Sequence, residues 1–171
     1  MEFYRPCPLD PDKHDRSQFQ CGDPSMDEWL RKYAGQNRRG NTAATWVITD
    51  SDHRVAAYAT LSMTSLDCSD CPTPLVKGAP KKVPALLVGR LATDESVAGL
   101  GLGTQMVQHI LSTAVRLNRE AALRAVVVNA LNVNAYAWWQ RFGFVPLDEE
   151  NETNLDLYLL SKDIEATLRD W

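Results

Sequence analysis

No run in this chain of 171 residues is long and apolar enough for a membrane helix, and its start lacks the basic-then-apolar order of a secretion signal. A cytoplasmic protein is expected. Basic charge is in deficit as well. With 18 Lys and Arg against 22 Asp and Glu, the net charge is −4, which excludes the uniformly basic surface of many nucleic-acid binders. No Gly-Lys-Ser/Thr follows a glycine-rich stretch, so there is no nucleotide P-loop, and no Gly-x-Gly-x-x-Gly opens an early βαβ unit. Of the cysteines Cys7, Cys21, Cys68 and Cys71, only the last two are closely spaced, in an Asp-, Ser- and Pro-rich stretch. Without a second tight pair no metal is expected, and all four read as free thiols of a reducing compartment. Repeats and low-complexity linkers are absent too. At 44% hydrophobic and 23% charged, the chain has the composition of one globular domain with a real core.

What is present is concentrated between Ala85 and Leu111. The run ALLVGRLATD, Ala85 to Asp94, is short and rich in Leu and Val, as a buried strand is. A turn follows with glycine at every second position: Gly99, Gly101 and Gly103. After it, Leu102, Met106, Val107, Ile110, Leu111 and Ala114 fall on one helical face. Strand, glycine turn and helix together make a nest of N–H groups at the positive end of a helix dipole, which suits a pyrophosphate. Gly-x-Gly-x-Gly alone is also what an ordinary tight turn uses.

The remaining elements can be placed coarsely. A short strand is expected near Phe3 to Arg5. A helix is expected over Pro24 to Arg38, capped by Asp23 or Ser25, with Met26, Trp29, Leu30 and Tyr33 as its apolar stripe. Thr42–Thr49 and Val55–Ser62 read as a hairpin around Asp50-Ser51-Asp52-His53. Met63 to Lys82 reads as a long loop with Pro72, Pro74 and Pro80. Then come a strand Val83–Thr93, a helix Leu102–Asn118, a strand Ala125–Ala130, a helix Val133–Phe142 ended by Gly143, a strand Asn154–Leu160 and a helical end from Ser161 to Trp171. Strands alternating with helices after an early hairpin predict a mixed α/β fold around one sheet.

The order strand, GxGxG turn, helix, strand AVVVNAL, Asn132, short aromatic helix and Gly143-Phe144 resembles the GCN5-related N-acetyltransferase (GNAT) family over roughly Trp46 to Leu160. Within it, the segments FQCGDPSMDEWL and VGRLATDES resemble the acetyltransferase toxins of bacterial toxin–antitoxin pairs. The resemblance implies a GNAT fold over residues 1–171, a central mixed β-sheet flanked by helices. It also implies transfer from acetyl-CoA to the amino group of an aminoacyl-tRNA, and a ribbon–helix–helix antitoxin as partner. A homodimer is expected.

The same resemblance assigns the pantetheine arm to the backbone of Leu91, Ala92 and Thr93 and the pyrophosphate to the amides of Gly99, Leu100, Gly101, Leu102, Gly103 and Thr104. Asn132 corresponds to a polar residue that contacts the coenzyme, and a helix N-cap would use the same residue type there. Two departures stand out. Ala98 occupies a place usually held by Gln or Arg. The family's Phe-Tyr-x-x-x-Gly-Phe pattern reads Trp138-Trp139-Gln140-Arg141-Phe142-Gly143-Phe144, so the tyrosine thought to protonate the leaving thiolate is replaced by Trp139. An indole N–H donates a hydrogen bond but is no acid. Tyr136 lies one turn earlier, roughly 5 Å along the axis, and is the candidate acid. Trp139 is kept as a tunnel-shaping or stacking residue. His53 and His109 are weak candidates for a base.

The basic residues are local rather than general: Arg31, Lys32, Arg38 and Arg39 in or after the first helix, and Lys77, Lys81, Lys82 and Arg90 before or within the central strand. Arg31, Lys32, Arg38, Arg39, Lys81, Lys82 and Arg90 are the candidate RNA contacts. Two other readings stay open. The acidic charge would suit a small cationic amine or a basic protein as acceptor. The two departures would suit a coenzyme binder without turnover.

Overall fold

The computed structural model describes residues 1–69 and 71–170. Its contacts fall into two compact units, Met1–Ser62 with Gly89–His109, and Met63–Val88 with Ile110–Trp171. Among the described residues the strands form a seven-stranded mixed sheet in the order β1-β2-β3-β4-β5-β7-β6.

The first unit holds β1 (Cys7–Pro8), β2 (Ala44–Thr49), the first half of β3 (Val55–Asp67) and the end of β4 (Lys82–Thr93). β1 pairs antiparallel with β2, and β2 with β3, around the expected Asp50–His53 turn, where His53 takes a positive φ of 62°. The strand expected at Phe3 to Arg5 is reduced to a bridge between Phe3 and Asp50, and β1 forms further on. The first helix starts where expected. Asp23 caps α1 (Pro24–Glu28) by accepting from the N–H of Ser25 and Met26, with Pro24 in the first turn.

It does not run evenly to Arg38. Trp29–Tyr33 is a π turn, and α2 (Ala34–Arg39) continues from it. The wider turn rotates the buried stripe, so Ala34 is fully buried and Tyr33, expected inside, is 44% exposed. Met26, Trp29, Leu30 and Ala34 pack with Phe19, Val47, Val55, Tyr58 and Ala92 into one core cluster.

In the second unit β5 (Ala125–Asn129) pairs antiparallel with β7 (Asp156–Leu160), which also pairs β6 (Val145–Pro146). The expected long loop is shorter than its length suggested. β3 continues to Asp67, and α3 (Thr73–Val76) puts Leu75 into a core with Val83, Ala85, Ala125, Val127, Tyr158 and Leu160. In α4 (Leu102–Glu120) all six residues of the apolar stripe are buried. α5 spans Val133–Gln140 and α6 Ser161–Arg169. Trp171, the expected end of the last helix, lies outside the described residues.

The cysteine expectation needs correcting. Cys68 and Cys71 form a disulfide, with Cα atoms 4.9 Å apart. That separation lies within the ordinary bridging range, so a spacing of three residues suffices for a bond. Cys7 and Cys21 are free thiols. Among the described residues no group of His, Cys, Asp and Glu could hold a metal ion, and no helix is long and apolar enough to cross a membrane.

One stability prediction arises in the N-terminal segment. His14 is buried, its Nδ1 accepts the N–H of Asp10 at 3.0 Å, and its Nε2 faces Cys7 Sγ at 3.9 Å. Burial pulls its pKa below the ordinary value, with smaller pushes down from Lys13 and His53 and up from Asp10. The fold therefore favours neutral His14, while the unfolded chain titrates near about 6.5. Below that pH the unfolded state binds more protons, so stability falls as pH falls and is flat above. In urea titrations at about pH 7.5 and about pH 5.5, His14→Asn, whose Oδ1 can still accept from Asp10, is expected to lose less stability on acidification than the parent. An identical loss in both would remove this role.

Candidate active site

The site is built on the far end of β4. Its parallel ladder with β5 runs from Ala85 to Val88, and the strand continues to Thr93. Leu91, Ala92 and Thr93 thus lie beyond that ladder, with a main-chain edge available for strand-like pairing with an extended ligand. Leu91 and Thr93 are half-buried, and Ala92 faces the core cluster.

Asp94 then turns the chain. One carboxylate oxygen accepts from the N–H and hydroxyl of Ser96 at 2.9 and 2.6 Å, and the other from the N–H of Gln20 at 2.9 Å. Burial opposes ionisation of Asp94, but these hydrogen bonds outweigh it and hold the carboxyl below its usual value. Glu95 N–H donates to Gln20 O at 2.8 Å. A Cβ on Gly22, whose φ is +98°, would come within 2.9 Å of the Glu95 carboxylate. The Phe-Gln-Cys-Gly segment is therefore stitched to the Asp-Glu-Ser segment just before the glycine turn. Sequence reading treated these strings as separate signatures and missed Gln20 and Asp94 as the clamp. The Asp-x-Ser pattern, a turn-capping signal, could have found Asp94.

Gly99 and Gly101 have φ of +81° and +83°, and a Cβ on either would meet nothing within 4 Å. The turn is therefore open above its backbone. It leads into α4, whose first amides have no partner within the helix. Leu100 is exposed, Leu102 is buried, and Gly103 and Thr104 are half-buried. A left-handed turn, open space where a Cβ would stand and the positive end of a long helix are the ingredients of an anion cradle. Ala98 is exposed beside it.

Beside the strand end lies a stack. The Arg90 guanidinium sits 4.3 Å from the centroid of the Trp29 ring. Trp29 stacks on Tyr58 with centroids 6.1 Å apart and planes 5° from parallel, and Phe19 meets Tyr58 edge-on at 5.4 Å. The Tyr58 hydroxyl donates to Met26 O at 2.7 Å, and burial pushes its pKa up. Burial likewise pushes the Cys21 thiol up to about 11, which favours the thiol over the nucleophilic thiolate near neutral pH.

The other basic candidates differ in their freedom. Arg31 donates to Phe19 O at 3.0 Å and Lys32 pairs with Glu28 at 3.1 Å. Arg38 and Arg39 are exposed at the end of α2, as are Lys81 and Lys82 at the start of β4 in the second unit. His53 stacks on Tyr4 and His109 lies against Trp46, centroids 4.2 Å apart. Neither histidine is placed as a base by these contacts.

In the second unit Asn132 caps α5, its side chain accepting from Ala135 N–H at 2.9 Å. Tyr136 is half-buried, and among the described residues its hydroxyl has no hydrogen-bond partner. Trp139 is only 4% exposed and packs edge-on against Trp138 and Phe144, with centroids 5.2 and 5.1 Å away.

The sequence model of the Acetyltransferase (GNAT) family matches residues 5–144. The chain is 34% identical over 160 residues to a tRNA-acetylating toxin of Mycobacterium tuberculosis, covering 93% of each chain. Among solved structures it is similar to the crystal structure of a mutant of KacT, with TM-score 0.87, 25% identity and coverage of 97% of this chain and 99% of that one. It is similar also to a mutant of the toxin AtaT bound to the C-terminus of the antitoxin AtaR and acetyl-CoA, with TM-score 0.82, 23% identity and 97% of each chain covered. That last likeness shows the fold.

Proposed function

Since the chain belongs to the GNAT family and is an acetyl-CoA-dependent N-acetyltransferase, we propose that its acceptor is the α-amino group of an aminoacyl-tRNA and that it acts as the toxin of a toxin–antitoxin pair. The observation that carries this is the 34% identity to a tRNA-acetylating toxin over 93% of both chains. The partner proposed is a ribbon–helix–helix antitoxin, the working assembly a homodimer, and the compartment the cytoplasm, where charged tRNA is found.

Acetyl-CoA supplies the thioester when bound. The edge of Leu91, Ala92 and Thr93 is proposed to hold its pantetheine arm, and the amides of Gly99 to Thr104 its pyrophosphate. Asn132 fixes the start of α5. In the transfer the amine nitrogen bonds to the acetyl carbon, the carbon–sulfur bond breaks, and the amine proton leaves to water. An α-amino group titrates near about 8, so a strong base is not needed. Tyr136 is proposed to give its hydroxyl proton to the departing thiolate, a role that rests on the motif resemblance and on its unpartnered hydroxyl. Trp139 is proposed to hold α5 in shape through its ring contacts. Arg31, Lys32, Arg38, Arg39, Lys81 and Lys82 are proposed to meet RNA phosphates, with the exposed Arg38 and Arg39 contributing most.

The test is release of free coenzyme thiol with four acceptors: charged tRNA, uncharged tRNA, a polyamine and a basic peptide. Release with charged tRNA alone is expected. Release with the polyamine or peptide and none with charged tRNA would replace this acceptor by a cationic amine.

A further inference from the structure

The Arg90 guanidinium is a charge of the first unit held against an aromatic ring. Its Cζ lies over the Trp29 ring, 4.3 Å from the centroid, and among the described residues no group accepts a hydrogen bond from it. Trp29 cannot easily swing away, because it stacks on Tyr58, which is anchored to Met26 O and braced by Phe19. Arginine does not lose its proton in a protein and presents five N–H donors in a rigid fork. A half-buried charge without an acceptor is costly, and one already held in place loses little freedom when an anion arrives. The fold therefore keeps a preorganised anion receptor one residue before Leu91.

We propose that Arg90, clamped on Trp29, receives the phosphodiester nearest the reacting end of the acceptor RNA. This rests on the reading of the acceptor as an aminoacyl-tRNA. In such an acceptor the amino acid's α-carboxyl is esterified, so the anions common to every charged tRNA near its reacting end are backbone phosphodiesters. The coenzyme's pyrophosphate has its own cradle at Gly99 to Thr104. Because Arg90 adjoins the strand edge proposed to hold the pantetheine arm, the phosphate it meets belongs to the reacting end of the acceptor. Its fork suits two phosphate oxygens at once.

The experiment uses the full chain with Arg90→Gln and Arg90→Lys, and two acceptors: a charged tRNA, and the same amino acid esterified to adenosine, which has no phosphate. Arg90→Gln is expected to raise KM for charged tRNA roughly ten- to hundredfold. Its kcat, its activity on aminoacyl-adenosine and its acetyl-CoA affinity by calorimetry should stay near the parent's. Arg90→Lys keeps the charge but loses the fork and should fall between. Binding of uncharged tRNA, which needs no turnover, should show a salt slope shallower by about one phosphate contact in Arg90→Gln. An equal loss on both acceptors, a parallel loss of acetyl-CoA affinity, or an unchanged KM and slope would each overturn the proposal. If the parent transfers nothing to charged tRNA while the salt slope still changes, the acceptor reading fails and the receptor stands. If the parent binds no tRNA at low salt, both fail.

Discussion

Gly101→Val is expected to weaken acetyl-CoA binding roughly 100-fold, the loss of about two charge-assisted amide contacts, while the protein still folds. The reason is geometric. A Cβ at position 101 meets no protein atom within 4 Å, so a side chain started there points into open space, where a bound phosphate would stand. Folding loses only the strain of a branched residue at a φ of +83°, on the order of 1–2 kcal/mol, which should lower Tm by a few degrees. Gly101→Ala carries the same kind of strain with a smaller obstruction and should fall between. Calorimetry against acetyl-CoA, beside a thermal melt, separates the two effects. Unchanged affinity in Gly101→Val would remove the glycine turn as the phosphate cradle.

Tyr136→Phe is expected to lower kcat about tenfold or more, within the usual reach of general acid catalysis, and to leave acetyl-CoA affinity nearly unchanged. That combination marks an interaction made in the transition state. Its hydroxyl has no partner among the described residues, so the substitution removes no structural hydrogen bond and Tm should hold. Trp139→Tyr is the informative companion. It restores the hydroxyl of the family pattern, but at a position that is buried against Trp138 and Phe144. The smaller ring leaves space and buries a new hydroxyl, a change worth roughly 1–3 kcal/mol of stability. A lower Tm without a gain in kcat is expected. A gain in kcat from Trp139→Tyr, with no loss from Tyr136→Phe, would move the acid to position 139.

The parts of this protein that were legible in the sequence are those set by period and by special backbone. The stripe from Leu102 to Ala114 is buried as its spacing requires, because a 19-residue helix averages over local irregularity. Gly99 and Gly101 take the left-handed conformation their pattern suggested. Asp23 caps its helix, and Asn132 its own. The misreadings have equally physical causes. A π turn at Trp29–Tyr33 leaves no signature in residue type, and it moved Tyr33 outward and Ala34 inward. β3 runs on to Asp67 although residues 63–67 mix polar and apolar types, because alternate residues there are more exposed, as on a half-covered strand. The Cys68–Cys71 bond runs against a free-thiol expectation that rests on compartment, which carries no information on local geometry.

Near the proposed site, sequence could place Leu91 to Thr93 at a strand end and Gly99 and Gly101 in a turn, since these depend on backbone and strand order. It could not show that Gln20 and Asp94 clamp two distant motifs together, or that the Arg90 guanidinium sits over Trp29. Those are contacts across many residues of separation, which no local pattern encodes.

The central claim is that the acetyl group ends on the α-amino nitrogen of a tRNA-bound amino acid. Purified protein, acetyl-CoA and bulk charged tRNA, followed by nuclease digestion to aminoacyl-adenosines and mass spectrometry, tests it most directly. The account predicts N-acetylated aminoacyl-adenosine that forms only with acetyl-CoA and is strongly reduced with Gly101→Val. Charged tRNA recovered without acetyl, from protein that binds acetyl-CoA normally, would contradict it.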